Sequence, residues 1–305
     1  MPNNSLSTLS QAILQTIIYS DVFDYPLTLP EIHQYLVGVK VSQEELRQAL
    51  ERDENLAHPE IYFTLPGRKD IVEIRKHREA YSKRLLPVAL KYGRVLGSLP
   101  FIRMVALTGS LAVMNVSTNA DFDYMLVAAP GRVWTARAFA LLFNRMTRIF
   151  GHTLCPNLIV SETALEWRVH DLYSARELCQ MIPITGMDVY WRLMQANQWI
   201  KEFLPNAFMD SDSLLPKSQK QAFGIQNIFE WFLRGKLGDR FEGWEMKRKI
   251  SRFSKQEGFG EETVFNAEVC QGNFDHHHKW TKKVFDEKLN ELCMEAPLPR
   301  GEGLG

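Results

Sequence analysis

Leu107-Thr108-Gly109-Ser110, followed by Asp121-Phe122-Asp123 within an apolar run, is the stretch on which the interpretation of this chain turns. Side chains alternate along a strand, so two carboxylates one residue apart project from the same face and can grip one divalent cation together. A Gly-Ser turn just upstream lets backbone N–H groups approach a phosphate closely. The combination points to metal-assisted phosphoryl or nucleotidyl transfer.

The flanking sequence reads as a strand from Arg103 to Leu107, a turn at Gly109-Ser110, a short helix from Leu111 and a carboxylate strand from Asp121 to Val127. In that order the elements resemble the nucleotidyltransferase superfamily typified by DNA polymerase beta, over about a third of the chain. The resemblance implies an α+β fold built on a mixed sheet flanked by helices. It implies that Thr108, Gly109 and Ser110 hold the triphosphate of an NTP. Asp121 and Asp123 would then be catalytic, ligating magnesium or manganese and bringing the attacking oxygen in line with the α-phosphorus. The implied reaction moves an NMP to an acceptor (a small molecule, a protein or an RNA) and releases pyrophosphate.

The same resemblance leads one to expect a third carboxylate on a later strand. The strand available, Leu154 to Val160, reads Leu-Cys-Pro-Asn-Leu-Ile-Val and contains no acid. Asn157 stands near the expected place; its carbonyl oxygen can ligate, but it carries no charge and cannot act as a base. Beside Pro156 it reads equally well as a turn or strand-edge residue. Glu162 and Asp171 are the acids that could reach in instead. The alternative function is a catalytically degenerate nucleotide-binding sensor or adaptor. A transferase that modifies protein partners is a third.

The chain has 305 residues, with 36 Lys and Arg against 36 Asp and Glu, so no global field favours polyanions or anionic membranes. That length supports two or three domains with a sizeable core. Cys155, Cys179, Cys270 and Cys293 lie far apart, without zinc spacing, and read as reduced thiols. The amino terminus lacks the basic lead of a secretory signal, and no uncharged apolar run reaches the roughly 18 residues needed to span a bilayer. A cytoplasmic protein without a membrane partner is expected.

The first 95 residues read as a winged-helix-like module and a basic linker helix. Leu9, Ile13, Leu14, Ile17 and Ile18 repeat at helical spacing, and Thr28/Glu31 and Ser42/Glu45 open two further helices with capping boxes. Ile61 to Leu65, ahead of Pro66-Gly67, suits the strands of a wing. Winged helices often bind DNA. Here the third helix carries Glu44, Glu45, Glu51, Asp53 and Glu54 against Arg47 and Arg52, and residues 1–67 hold three cations against nine acids, a net charge of −6. Such a field repels phosphate, so protein or intramolecular docking is expected rather than specific DNA binding. Residues 68–94 reverse the sign, nine cations against three acids, and form either a basic rail beside the active site or a helix laid on the acidic module.

The transferase core is placed at 96–185. Trp134 to Phe150 reads as its amphipathic helix, with Arg132 and Arg137 near its first turn within possible reach of a phosphate. Ser174-Ala175-Arg176-Glu177 has the form of a capping box, which gives Ser174 a structural role. Residues 186–305 read as a helical carboxy-terminal region, with helices over Asp188–Phe203, Gln221–Leu237, Glu242–Phe253 and Trp280–Leu292. Its aromatics, Trp191, Trp199, Phe229, Trp231, Phe232 and Trp244 among them, are expected in the core. His276-His277-His278 point in different directions and do not make a metal site, and Asp275 reads as a helix cap. Serine-hydrolase elbows and Walker-type loops are absent from the sequence.

Overall fold

A computed structural model describes residues 3–53, 56–118, 121–207, 225–274 and 276–295. The chain divides into two compact units. The first comprises residues up to Arg75, Leu204–Ala207 and the last helix from His277. The second comprises Lys76–Phe203 and the described residues up to His276.

The first unit begins with α1 (Asn3–Asp21), β1 (Leu27–Thr28), α2 (Leu29–Gln34), α3 (Gln43–Glu51) and β2 (Tyr62–Phe63). Both expected capping boxes are present: Glu31 accepts from the Thr28 N–H at 2.8 Å, and Glu45 accepts from the Ser42 N–H at 2.8 Å. Ile13, Ile17 and Ile18 of α1 are buried against Ile32, Leu36 and Leu46, and Phe285 and Leu289 pack on the same cluster. The strands are shorter than the apolar run predicts. β2 pairs antiparallel with β1, Thr64 bridges only to Ala57, and Pro66-Gly67 leads into a helix rather than a second hairpin strand.

That helix, α4 (Ile71–Gly97), begins in the first unit and continues in the second. The first cations of the basic stretch engage acids of the first unit. Arg68 donates to Asp21 at 3.0 Å and to Asp24 at 2.5 Å, and Lys288 from the last helix also reaches the buried Asp21. Arg75 grips both oxygens of Glu31, at 2.8 and 2.7 Å, and stacks on Tyr25.

After α4 the second unit runs β3 (Ile102–Leu107), α5 (Gly109–Ala112), β4 (Phe122–Ala128), α6 (Val133–Thr147), β5 (Leu154–Ser161), α7 (Leu172–Gln180), β6 (Ile182–Thr185), α8 (Met187–Ala196) and α9 (Ile200–Phe203). It continues with α10 (Ile225–Leu233), α11 (Lys236–Phe253), β7 (Thr263–Phe265) and β8 (Val269–Gly272); α12 (His277–Glu295) belongs to the first unit. One mixed sheet of order β6-β3-β4-β5-β8-β7 forms its centre, with β4 and β5 parallel and every other pair antiparallel. The α+β class and the mixed sheet flanked by helices are thus present. The region beyond residue 186 is not helical throughout: β7 and β8 extend the sheet from β5, with Leu158 opposite Gln271. Val105, Leu107, Tyr124, Leu126 and Trp134 are fully buried between sheet and helices.

The expected helix 221–237 is described from Ile225 and ends at Leu233, where Gly235 adopts an extended conformation and caps α11. Four of the aromatics expected in the core, Phe229, Trp231, Phe232 and Trp244, are exposed. For the three on α10 the reason is local: Gln226 and Glu230 of that helix turn inward, as set out below. Asp275, Glu54 and the Cys293 side chain lie outside the described residues; Cys155, Cys179 and Cys270 are free thiols. Among the described residues no helix is long and apolar enough to cross a membrane.

Candidate functional site

The two halves of the sequence signature meet at one end of the sheet. β3 and β4 are antiparallel with Leu107 opposite Tyr124, and the Thr108 N–H extends the ladder by donating to the Asp123 carbonyl at 3.0 Å. The chain then turns at Gly109, whose φ is +66°, into the four-residue helix α5. Gly109 is required twice over. Its backbone lies in the left-handed region, and a Cβ there would stand 2.5 Å from Asp123 Oδ2. The Asp123 carboxylate is therefore packed directly against the Thr108-Gly109-Ser110 turn. The Ser110 carbonyl accepts from the Asn115 N–H at 2.8 Å and closes the turn.

Asp121 precedes the first residue of β4 and is exposed, while Asp123 is half-buried. Burial pushes Asp123 up to about 6; a hydrogen bond from Asn157 opposes the shift, and the Asp121 charge adds to it. Asn157 owes its position to a bulge. In the β4–β5 pairing Tyr124 faces Pro156 and Met125 faces Leu158, so Asn157 is the extra residue between them. Pro156 cannot donate to the ladder, and the bulge re-aims the next side chain. Asn157 Nδ2 donates to Asp123 Oδ1 at 2.7 Å, and its Oδ1 accepts from Cys155 Sγ at 2.8 Å.

Neither acid expected to replace the missing carboxylate does so. Glu162 accepts from Arg192 at 2.9 Å, and Asp171 is the N-cap of α7, accepting from the Ser174 N–H at 2.9 Å. This also corrects the capping box at 174–177: Ser174 lies inside the helix because Asp171, three residues earlier, already satisfies its N–H. Glu177 is thereby released from a capping role. Burial, then the nearby Asp123 charge, pushes it up to about 7. Topology accounts for the proximity. α7 runs into β6, whose Ile182 pairs with Leu107, so Glu177 arrives at the sheet end that holds the Gly109 turn. The Asp171-Leu172-Tyr173-Ser174 pattern was the signal available in the sequence.

Arg137 and Arg132 are not brought to this site. Asp123 is near the start of β4 and α6 follows its far end, about 16 Å away at strand rise. The Arg137 guanidinium lies 5.1 Å from the centre of the Phe253 ring. Arg132 donates to Leu233 O and Asp239, and the first N–H groups of α6 are taken by Glu242, at 2.9 Å from Trp134 N and 2.7 Å from Thr135 N. A carboxylate of the fold already occupies the place a phosphate would take at that helix end.

Among the described residues no three His, Cys, Asp or Glu side chains are grouped to hold a metal ion. The donor chemistry of Asp121 and Asp123 nonetheless fits magnesium, which is commonly held by one or two carboxylates together with substrate phosphates and water. Asp121 and the partly buried Asp123 place negative charge beside the glycine turn. Compared with protein-family models, curated proteins and solved structures, the chain matches none.

Proposed function

We propose that the chain is a metal-dependent nucleotidyltransferase that moves an NMP from an NTP to an acceptor. The observation that carries this reading is the packing of the Asp123 carboxylate, on β4, against Gly109 in the turn that follows the neighbouring strand β3, with Asp121 close by in sequence. Gly109 and Ser110 would present backbone N–H groups to the triphosphate, while the Thr108 N–H stays with the Asp123 carbonyl and fixes the start of the turn. A bound magnesium or manganese ion would neutralise phosphate charge and stabilise charge developing on the leaving group. Asp121 and Asp123 would hold that ion. The acceptor oxygen forms a bond to the α-phosphorus, the bond from that phosphorus to the bridging oxygen breaks, and pyrophosphate departs. The acceptor's proton needs a base, and Glu177, pushed up to about 7 by burial and the nearby Asp123 charge, would be suited to take it near neutral pH.

The first unit, with its order α1-β1-α2-α3-β2, resembles a winged helix and carries an acidic surface suited to a protein partner rather than to DNA. A second reading, a nucleotide sensor without transferase activity, is favoured by Asn157, an uncharged amide bonded to Asp123 where a third carboxylate was expected.

Calorimetric titration of ATP, GTP, CTP and UTP, with and without magnesium, into the wild type and the Asp121→Ala/Asp123→Ala variant tests the site before the acceptor is known. Magnesium-dependent binding of an NTP that disappears in the variant is expected. Binding that persists in the variant, or no binding of any NTP, refutes the assignment. Pyrophosphate release then separates transferase from sensor.

A further inference from the structure

α10 is an inside-out helix. Two of its polar residues, Gln226 and Glu230, one turn apart, point into the protein, while Asn227 is exposed. Gln226 Nε2 donates to Leu99 O at 3.0 Å. Glu230 accepts from Phe101 N at 2.8 Å and from both terminal nitrogens of Arg103, at 2.8 and 2.9 Å. The opposite face carries Ile228, Trp231 and Phe232, with Trp231 70% exposed. Leu237, 71% exposed, and Trp244 continue the apolar surface on α11, which packs against α10. A helix whose only partner on that side was water would have the reverse polarity.

The charges around this surface are also sorted. Residues 225–253 hold seven cations and four acids. All four acids are engaged by the fold: Glu230 by Arg103, Asp239 by Arg132, Glu242 by the start of α6, and the buried Glu245 by Arg248. Lys236, Arg240 and Lys247 are exposed and border the apolar patch with outward cations, while Arg234, also exposed, pairs with Glu230 at 3.6 Å. Exposed tryptophan and phenylalanine flanked by lysine and arginine form the composition of a surface that lies in the headgroup region of an anionic bilayer.

We propose that the α10–α11 surface docks peripherally on an anionic lipid membrane. It inserts Trp231, Phe232 and Leu237 into the headgroup boundary and sets the exposed cations against acidic lipid phosphates and carboxylates. The sequence led us to expect no membrane partner; lying on a bilayer requires no spanning helix. The proposal is independent of the transferase reading, because none of these residues belongs to the Asp123 site.

The test is co-sedimentation of the full chain with vesicles of phosphatidylcholine alone or of phosphatidylcholine with phosphatidylserine. The wild type is compared with Trp231→Gln/Phe232→Gln and with Arg240→Glu/Lys247→Glu, whose sites are exposed and whose folding is checked by circular dichroism. Binding to the serine-lipid vesicles should exceed that to neutral vesicles by at least about tenfold and should fall by about tenfold or more in each variant. Absence of binding, equal binding to both vesicles, or variants that bind like the wild type would overturn it. So would light scattering that finds a dimer dissociated by Trp231→Gln/Phe232→Gln, since a second copy would then cover the face.

Discussion

Replacing Gly109 with alanine probes the junction between the turn and the carboxylate strand. At φ +66° an alanine incurs a left-handed backbone penalty of about 1–2 kcal/mol. The new Cβ also stands 2.5 Å from Asp123 Oδ2 and 3.2 Å from its Cβ and Cγ. The carboxylate cannot swing aside freely, because its other oxygen is held by Asn157 at 2.7 Å; losing a hydrogen bond to a charged group costs about 1.5–3 kcal/mol. Gly109→Ala should therefore destabilise the second unit by about 2.5–5 kcal/mol in urea unfolding near pH 7.5. The two contributions separate in a double-mutant cycle with Asp123→Ala. With the carboxylate gone only the backbone penalty remains, so the coupling between the sites should be about 1.5–3 kcal/mol. Additive effects, or a loss below about 1 kcal/mol in the wild-type background, would refute the packing argument.

Asp123→Asn should stabilise the protein by an amount that depends on pH. With its pKa raised to about 6, the buried acid gives stability that is present below the ordinary value of 3.8 and is lost as pH rises through 6. The asparagine, which does not ionise, should gain about 2–3 kcal/mol over the wild type at pH 7.5 and nothing at pH 3.5, and an equal gain at both pH values in urea melts would contradict the assignment. Arg75→Ala strands the half-buried Glu31 carboxylate and should lower first-unit stability by about 3–5 kcal/mol in thermal melts; a loss under 1 kcal/mol would mean that water replaces the pair. Asp171→Ala removes the cap of α7 and should cost about 0.5–2 kcal/mol, with Ser174→Ala costing less; the reverse order would restore Ser174 as the cap.

Local chemistry made much of the fold legible. Thr28/Glu31 and Ser42/Glu45 are satisfied within three residues, so those helix starts need no tertiary information. The Gly109 turn and the strand carrying Phe122 and Asp123 were readable for the same reason, although the strand starts at Phe122 and leaves Asp121 just outside it. β7 and β8 were not: three- and four-residue strands carry no period of their own and exist because β5 offers an edge. Asn157 could be named from sequence, but its contact with Asp123 depends on a bulge set by Pro156. Glu177 was hidden by an apparent capping box that Asp171 pre-empts. The outward aromatics of α10 defeat the rule that tryptophan belongs inside, because Gln226 and Glu230 find better partners at Leu99–Arg103 than in water.

The late strands also set a timetable for synthesis. β5 ends at Ser161, yet its antiparallel neighbour β8 spans Val269–Gly272, and Leu158 meets Gln271 more than one hundred residues later in the chain. At 5–20 residues per second of translation, roughly 5–20 s pass in which the nascent chain displays β5 as an open edge with Ile159 and Val160 ready to pair with a stranger. The first unit waits longer still, since Phe285 and Leu289 of α12 complete its core. A ribosome that stalls before residue 263 would therefore release a chain with one sticky sheet edge and one unfinished helical core, a substrate for chaperones and proteases rather than a smaller folded protein.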